Sequence, residues 1–306
     1  MIVVFGSLIA DLVFPVVALP RPGETVASPN VMVIPGGKGA NQAVAAARSG
    51  ADVEMTGTVG KDAFGEMLIS GLTDAGVGTN RVARVASPTG CAAVCVDREG
   101  ENQIAIAAGA NLETRSDQVG NDVLTSQTTL VLQMEVRLDE NWKLVKRARA
   151  AGARVLLNAA PAAAVPAKSL KVVDYLLVNE IESAMLAGLA GLETNDSLGV
   201  ARDLADRYST ACIVTLGAQG AVACLADGMW RIGAMPVGAV DATAAGDAFV
   251  GVFAASLDGG GDAAHALHRA SVAGGLACMT AGAQPSLPTA ADIDQRLADL
   301  APPEKV

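Results

Sequence analysis

The residues best suited to chemistry lie in one stretch, Asp241 to Asp247, where small side chains lead into a carboxylate. An apolar run from Ala248 to Leu257 follows, as in a loop that enters a helix. We expect the amides at the start of this helix to face an anion such as phosphate, which the helix dipole favours. These are the amides of Ala244, Ala245 and Gly246. Asp247 would accept a proton from an attacking hydroxyl. An ordinary capped helix after a turn has the same composition and remains the alternative.

A second glycine-rich stretch, Pro35 to Ala43, reads PGGKGANQA. It is not a Walker A loop, because that motif needs a glycine at the position of Met32 and a serine or threonine at the position of Gly39. A flexible turn before a helix is one interpretation. The other is a turn whose backbone approaches a polar ligand closely, with Asn41 projecting from the new helix.

The elements that must position these residues alternate regularly after residue 110. We predict strands over 1–5, 53–59, 129–134, 154–158, 175–178 and 212–216. We predict helices over 38–49, 62–75, 139–151, 180–187, 197–208, 245–257 and 262–279. Strands that are apolar at successive positions and alternate with helices indicate a mainly parallel sheet covered on both faces. Ligands of such sheets bind beyond the carboxyl ends of the strands, where Glu135, Asn158, Asn179 and Gly217 are expected.

Two further regions predict a small separate sheet. The segment of about 8–35 mixes short apolar stretches with prolines, which suits interrupted strands. The segment of about 90–107 places a charged tip, residues 97–101, between two apolar runs, which is a hairpin signal. Together they predict a β-sheet lid beside the main sheet.

Motifs along almost the whole chain resemble one family. Besides the two glycine-containing stretches, they are Gly6-Ser7, Asp11, residues 22–25 (PGET), residues 215–217 (TLG) and residues 282–286 (GAQPS). In this order they resemble the PfkB, or ribokinase-like, sugar kinases, and the ribokinase branch most closely. The resemblance implies one ribokinase-like α/β domain over residues 1–306, in which the small sheet closes over a sugar.

The resemblance also implies the sugar-binding residues. A carboxylate such as Asp11 can accept hydrogen bonds from two adjacent hydroxyls at once. By family match, the predicted sugar ligands are Asp11, Gly37, Lys38, Asn41 and Glu135, with Asp247 as the base. For Glu135 the alternative is an exposed charge at a strand end.

ATP, Mg²⁺ and K⁺ are implied in the same way. Asn179 and Glu182 resemble a family N-x-x-E motif that organises Mg²⁺ through water, and the alternative is a helix start with acids in its first turn. The predicted nucleotide-binding residues are Asn179, Thr215, Gly217, Gly220 and Gly246. The predicted K⁺ ligands are Asp241, the carbonyls of Thr243, Ala277, Thr280 and Gly282, and the Ser286 hydroxyl. For residues 215–220 an ordinary turn between strands is the alternative.

Ile9 departs from the family pattern, since ribokinases commonly place there an asparagine that reaches the sugar. Isoleucine makes no hydrogen bond through its side chain. The resemblance implies transfer of the γ-phosphate of ATP to the primary 5-hydroxyl of D-ribose. A kinase for 2-deoxyribose or a nucleoside is the nearer alternative, and a non-catalytic sugar-binding module is the more distant one.

Composition excludes several classes of protein. The 306 residues are 51% hydrophobic, which is enough for a large core. With a net charge of −10 and only 3% aromatic residues, the chain lacks the charge and the stacking platforms that nucleic-acid binding needs. Apolar runs are too short to span a membrane, and the N-terminal residues do not resemble a signal peptide. We therefore expect a cytoplasmic protein, and the resemblance implies a homodimer formed through the lid.

Cysteine and histidine offer little chemistry. The five cysteines lie in apolar runs and form no C-x-x-C pair, so we expect buried free thiols. His265 and His268 are the only histidines, three apart on a predicted helix. A third metal ligand is missing, so exposed or half-buried helix residues are expected. A Ser-His-Asp mechanism is poorly supported.

Overall fold

A computed structural model describes residues 1–194 and 196–306. The strands are β1 Ile2–Phe5, β2 Ile9–Pro15, β3 Met32–Gly36, β4 Val53–Gly60, β5 Gly78–Val85, β6 Gly90–Val96, β7 Asn102–Ala107, β8 Thr129–Leu132, β9 Arg154–Asn158, β10 Tyr175–Asn179, β11 Ala211–Thr215, β12 Ala221–Leu225, β13 Gly228–Ile232 and β14 Glu304–Lys305. The helices are α1 Lys38–Arg48, α2 Ala63–Asp74, α3 Leu138–Ala150, α4 Ala167–Leu170, α5 Glu180–Ala190, α6 Ser197–Tyr208, α7 Ala245–Asp258, α8 Ala263–Ala277, α9 Ala283–Ser286 and α10 Ala290–Arg296.

The large sheet has the strand order β14-β13-β12-β11-β10-β9-β8-β1-β4-β5. Strands β5 to β11 in this order pair in parallel, and β11 to β14 pair antiparallel. The order changes direction around β1, which lies between β8 and β4. At such a switch point the loops beyond the strand ends diverge and leave a crevice for ligands. The predicted mainly parallel sheet is confirmed.

The sheet separates two hydrophobic cores. In β1, Ile2 and Val4 pack with residues of α1, α7 and α8, whereas Val3 and Phe5 pack with residues of α3, α5 and α6. All four side chains are fully buried. This split follows from the alternation of side chains along a strand, so a central strand of a doubly covered sheet is apolar at every position.

The predicted small sheet is confirmed as a four-stranded sheet of order β3-β2-β6-β7. Strand β7 is exposed along its whole length, and β2 pairs with β3 and β6. Ile104 and Ile106 on β7 are 55% and 57% exposed. Its core is therefore thin, and one apolar side faces solvent.

Among the differences from the predicted elements are one strand boundary and two strands that were not predicted. Strand β8 ends at Leu132 rather than at residue 134, so Gln133 leaves the sheet and enters the site described below. The segment 301–306 contains Pro302 and Pro303 and has no periodic apolar pattern, yet its strand β14 pairs with β13. There the Lys305 ammonium lies 5.1 Å from the centre of the Trp230 ring, a cation–π contact that helps to hold the segment. Strand β5 was not predicted, because its residues are mostly half-buried and do not form an apolar run.

The cysteine prediction is confirmed for the thiol state, since all five cysteines are free, although only Cys212 is fully buried. The histidine prediction is wrong for His268. Its ring is buried and its Nε2 lies 2.8 Å from the Leu300 carbonyl, so His268 joins α8 to the segment after α10. Within the described residues, no helix has the length and apolar character needed to cross a membrane.

Candidate active site

Helices α1 and α7 bring the two glycine-containing stretches together. A side chain at Gly251 would place its Cβ 2.6 Å from the Ala45 Cβ and 2.6 Å from the Gln42 carbonyl oxygen. Only glycine allows α1 and α7 to approach this closely. Asn41 and Gln42 on the first turns of α1 are thereby placed beside Asp247 on the first turn of α7.

Asp247 is buried and receives one amide donor on each carboxylate oxygen. Asn41 Nδ2 donates to Oδ2 at 2.9 Å, and Gln42 Nε2 donates to Oδ1 at 2.9 Å. Burial raises the pKa of Asp247, while the Lys38 ammonium and the two amide donors act to lower it. The result is a carboxylate whose pKa lies above its ordinary value, which is a property of groups that accept protons in catalysis.

Lys38 lies among carboxylates at the start of α1. Burial acts to lower the pKa of Lys38, but Asp247, Glu135, Glu182 and Asp11 outweigh it, and the pKa is raised. Lys38 therefore stays protonated and supplies positive charge where the chain as a whole is acidic.

Glu135 ties the start of α1 to the segment after β1. Its Oε2 accepts from the Ser7 hydroxyl at 2.5 Å and from the Lys38 amide at 3.0 Å. The Gly39 amide donates to the Ser7 hydroxyl at 3.2 Å, and the Ala40 amide donates to the Ser7 carbonyl at 2.9 Å. The alternative of an exposed strand-end charge is wrong for Glu135, which is half-buried and bonded at Oε2.

Asp11 on β2 lies against the turn before α1. A Cβ on Gly36 would lie 2.2 Å from Asp11 Oδ2, and a Cβ on Gly37 would lie 2.8 Å from the Ile9 amide nitrogen. Burial, together with the charges of Glu135 and Asp247, raises the pKa of Asp11 to about 6. Ile9 and Asp11 are two apart on one strand and so share a face, which places the buried Ile9 beside the same turn.

The first turn of α7, unlike that of α1, has no side chain among the described residues that accepts from its amides. Ala244 has φ 62°, a conformation that costs a residue with a Cβ about 1–2 kcal/mol, and no side chain caps the helix. The Ala245 amide, expected to be unpaired, donates to the Ala242 carbonyl at 3.2 Å, so that part of the prediction is wrong. The amides of the first helical turn otherwise lack partners within the helix.

A cavity of about 240 Å³ lies in front of this turn. Its lining includes Lys38, Asn158, Asn179, Glu182, Thr215, Ala244, Gly246 and Asp247. The structure thus brings together predicted residues from five separate parts of the chain. A phosphate group in this cavity would meet the α7 amides and Lys38, the two sources of positive potential found there.

Glu182 fits the expected role toward Mg²⁺. Its Oε2 accepts from the Asn179 amide at 2.9 Å, and the Asn179 side chain accepts from the Glu182 amide at 2.9 Å. This capping box fixes Glu182 and leaves Oε1 for a ligand. Within the described part of the chain, no three histidine, cysteine, aspartate or glutamate side chains cluster as a metal site would require.

The predicted nucleotide residues separate into two groups. Thr215 lines the cavity, and its hydroxyl lies 3.4 Å from the Val178 carbonyl. Neither Gly217 nor Gly220 lines the cavity. A Cβ on Gly220 would lie 2.1 Å from the Ile232 carbonyl oxygen. Gly217, with φ 54°, has open space around the Cβ position. Neighbouring backbone thus leaves no room for a side chain at Gly220, whereas the space at Gly217 is open.

The predicted K⁺ ligands come from two segments that Asp241 joins. Its Oδ1 accepts from the Thr243 amide at 2.9 Å, and its Oδ2 accepts from the Gly282 amide at 2.8 Å. The Ser286 hydroxyl donates to the Ala283 carbonyl and so keeps its lone pairs for another partner. Burial acts to raise the pKa of Asp241, but these donors outweigh it and the pKa is lowered. The Ala277 carbonyl, another predicted ligand, accepts from the Thr280 amide at 3.5 Å.

Sequence reasoning missed one set of site residues, a chain of buried amides. Gln42 bonds to Asp247, Gln133 bonds to Gln42, and Asn141 bonds to the Gln133 carbonyl. Gln42 lies inside the PGGKGANQA stretch, and Gln133 directly precedes Met134 and Glu135. A polar residue flanked by apolar ones at the end of a strand was the available signal.

Comparison with known proteins decides the family. The sequence matches the family described as "pfkB family carbohydrate kinase" over residues 1–290. The chain belongs to the pfkB family. As a pfkB-family chain it is a carbohydrate kinase of the ribokinase-like fold, and it uses ATP with Mg²⁺ as this family does.

Individual members agree on the reaction and differ in the sugar. A ribokinase of Lactococcus lactis is 33% identical over 300 residues, covering 97% of each chain. A deoxyribokinase of Salmonella typhi is 34% identical over 302 residues, covering 97% of this chain and 98% of that one. The structure of Arabidopsis thaliana ribokinase complexed with ribose and ATP superposes with a TM-score of 0.87 at 29% identity, covering 97% of this chain and 98% of that one.

Proposed function

We propose that this kinase transfers the γ-phosphate of ATP to the primary 5-hydroxyl of a ribose-like pentose, with D-ribose as the substrate. One observation carries the proposal. The buried Asp247 carboxylate lies at the open first turn of α7, next to the Lys38 ammonium, and Asp11 and Glu135 lie across the same turn of α1. A base, an anion site and hydroxyl acceptors are thus adjacent.

Asp247 is the proposed general base. As the hydroxyl attacks the γ-phosphorus, Asp247 takes its proton and the bond to the β-phosphate oxygen breaks, so that ADP leaves. Positioning and electrostatics supply most of the catalysis in phosphoryl transfer. The amides of Ala244 and Gly246 and the Lys38 ammonium would stabilise the transferring charge.

The turn before α1 is the proposed sugar site. The Asp11 carboxylate accepts from two adjacent hydroxyls, while Gly37 lets the backbone approach the ring and Asn41 offers its side-chain oxygen. That oxygen is buried without a protein partner, so a sugar hydroxyl would satisfy it. Glu135 keeps Oε1 for the sugar while Oε2 holds the turn.

Two ions complete the proposal. Mg²⁺, when bound, neutralises the phosphate oxygens, and Glu182 would hold it through water while Asn179, Thr215 and Gly217 border the nucleotide. K⁺ would lie between the 241–243 and 277–286 segments and add positive potential behind the α7 turn. Replacing K⁺ with a large organic cation at fixed ionic strength should lower turnover, and equal rates in both salts would contradict the K⁺ site.

2-Deoxyribose is the second candidate, favoured by Ile9 and by the similarity to a deoxyribokinase. An apolar wall rejects an added hydroxyl only weakly, whereas a polar site strongly rejects an analogue that lacks one. If Ile9 faces the 2-position, the enzyme uses 2-deoxyribose about as well as ribose. A nucleoside is less favoured, because the lid segments supply few aromatic residues beyond Phe14 for stacking on a base.

An assay of ADP release tests the sugar. We expect kcat/KM for ribose and 2-deoxyribose to exceed that for adenosine by at least about 10-fold. Ile9→Asn should then shift the ribose to 2-deoxyribose ratio toward ribose by about 1–2 kcal/mol, or about 5–30-fold, the worth of one net hydrogen bond. Preference for adenosine would contradict the pentose assignment, and a ratio unmoved by Ile9→Asn would remove Ile9 from the pocket.

We also propose a homodimer formed through the small sheet. The exposed apolar residues on it are Val31, Met32, Val33, Ile104 and Ile106. They lie at β3 and β7, the two edge strands of the small sheet, and exposed apolar side chains on unpaired edges favour association with another copy of the sheet. Sedimentation should give a dimer whose dissociation constant rises when Ile104→Asp is introduced, and a monomer at all concentrations would contradict the proposal.

A further inference from the structure

The carboxylate of Asp247 is fixed by a second side chain of α1, Gln42, to which the family resemblance assigns no role. Gln42 Nε2 donates to Asp247 Oδ1 at 2.9 Å and also lies 3.0 Å from Asn158 Oδ1. Gln42 is completely buried. A carboxylate can only accept, so the Gln42 amide must present its NH₂ group to Asp247 and its oxygen to the opposite side.

Gln133 makes that orientation the stable one. Its Nε2 donates to Gln42 Oε1 at 2.6 Å. Rotating the Gln42 amide by half a turn would place its oxygen against the Asp247 carboxylate and its NH₂ group against the NH₂ group of Gln133. The hydrogen bonds of Gln42 to Asp247 and to Gln133 would both be lost. Leaving such buried groups unpaired costs about 1–3 kcal/mol each.

Gln133 is in turn held by its surroundings. Asn141 Nδ2 donates to the Gln133 carbonyl at 2.6 Å, and a Cβ on Gly6 would lie 1.9 Å from Gln133 Oε1. That oxygen is buried and has no partner. An apolar residue would fill this space without such a penalty, so packing alone does not account for the glutamine.

We propose that Gln42 is a positioning residue for Asp247 and that Gln133 fixes the orientation of Gln42. Together they keep the carboxylate ionised and turned toward the acceptor hydroxyl. The inference rests on the proposed role of Asp247 as the base.

The charges around Asp247 give the expected direction of the pH effect. Lys38 stabilises the anion, and Glu135, Asp11 and Glu182 oppose it. Loss of the Gln42 donor removes one stabilising contact, so the pKa of Asp247 rises. A base with a higher pKa is ionised only at higher pH, so the acid limb of the kcat profile moves upward in pH.

The test is Gln42→Met, which keeps the length of the side chain but removes both hydrogen-bonding groups. We expect kcat at pH 7.5 to fall about 10-fold, the effect of one hydrogen bond to a charged group. We expect the acid limb to move up by about one pH unit and KM for ATP to stay within about threefold. Gln118→Met is the matched control, because the Gln118 side chain also makes three hydrogen bonds, to Gly57, Arg81 and Arg115. Its pH profile should not change.

The same substitution in an Asp247→Asn background separates positioning from structural damage. A residue that acts through Asp247 has no further effect on kcat once the carboxylate is gone. An unshifted profile for Gln42→Met, or an equal loss of kcat in both backgrounds, would overturn the proposal.

Circular dichroism and the melting temperature show whether Gln42→Met folds. If it does not, Gln133→Met tests the proposal instead. Its acid limb should move in the same direction by a smaller amount, and an unmoved limb would overturn the proposal. Full turnover of Asp247→Asn alone would instead contradict the proposed base, a result distinguishable from failure of the glutamine pair.

Discussion

Two helix N-termini meet at the site, and the protein treats them in opposite ways. At α1 the amides of Lys38, Gly39 and Ala40 all donate to Glu135 or Ser7. At α7 no side chain caps the helix, and Gly246 is exposed to the cavity. The start of α1 is therefore filled by the protein itself, whereas the start of α7 is open to a ligand.

This difference shows that a helix N-terminus is an anion site only when its amides remain available. Satisfying the α1 amides internally frees that end to present side chains, and Lys38, Asn41 and Gln42 all point their polar groups at the site. The α7 end contributes backbone instead. In the proposed reaction, α1 shapes the sugar side and α7 holds the phosphate.

The largest expected effect is that of Asp247→Asn on the α7 side. Turnover should fall by at least about 10²-fold, the lower end for loss of a positioned base. The fold should be retained, because the change is nearly isosteric and a half-turn of the Asn41 amide lets its unpartnered oxygen accept from the new amide. The measurement is kcat together with the melting temperature. Turnover within a few-fold of the wild type would remove Asp247 from the mechanism.

Glycine substitutions at the two ends should have opposite consequences. Gly246→Ala meets no protein atom within 4 Å, so stability should hold while kcat/KM for ATP falls by about 10-fold through a clash with phosphate. Gly37→Ala should instead destabilise the fold by about 1–3 kcal/mol, because Gly37 has φ 89° and its Cβ would lie 2.8 Å from the Ile9 nitrogen.

Gly188→Ala is the control for this pair. Gly188 lies within α5 and also has open space around its Cβ position, so the substitution should stabilise the protein by about 0.5–1 kcal/mol and leave activity unchanged. The measurements are thermal unfolding and ATP kinetics for all three variants. Full activity of Gly246→Ala would mean that no ligand approaches the start of α7 closely.

A pH-dependent effect is expected at Asp11 beside the α1 turn. Its pKa of about 6 in the folded protein exceeds the value of about 3.9 in an unfolded chain. Between these values the folded state holds a proton that the unfolded state has lost, so this contribution to stability falls as pH rises from about 4 to 6. Asp11→Asn should therefore raise the free energy of unfolding by about 1–3 kcal/mol at pH 7.5 and have little effect at pH 4.

Sugar binding should depend on pH in the opposite direction from stability, because it needs the ionised form of Asp11. KM for the sugar should rise as pH falls through about 6, since a protonated Asp11 accepts fewer hydrogen bonds. The measurements are melting temperatures and KM as functions of pH, with the exposed Asp74→Asn as control. Equal stabilisation by Asp11→Asn at pH 4 and pH 7.5 would contradict the raised pKa.

The sequence predicted much of the fold because its signals are local. The apolar strands β1, β8 and β9 and the helices between them follow from periodicity and composition. Motif order also predicted the family and which stretches carry the site. Strand β14 was missed, because its two polar residues carry no periodic pattern. It forms through tertiary contacts, in which Lys305 pairs with Trp230 on β13 and makes an ion pair with Asp227.

The sequence by itself determined the residue types: a carboxylate after small residues, a lysine after two glycines, and an isoleucine at a position usually polar. Only the tertiary structure decided which of these residues are in contact, how deeply they are buried and how their pKa values shift. Gln42 and Asp247 are 205 residues apart, and no local pattern reports a contact at that distance. Burial and charge then act on the assembled group, which is why the raised pKa of Asp11 and the open α7 amides appear only once the chain is folded.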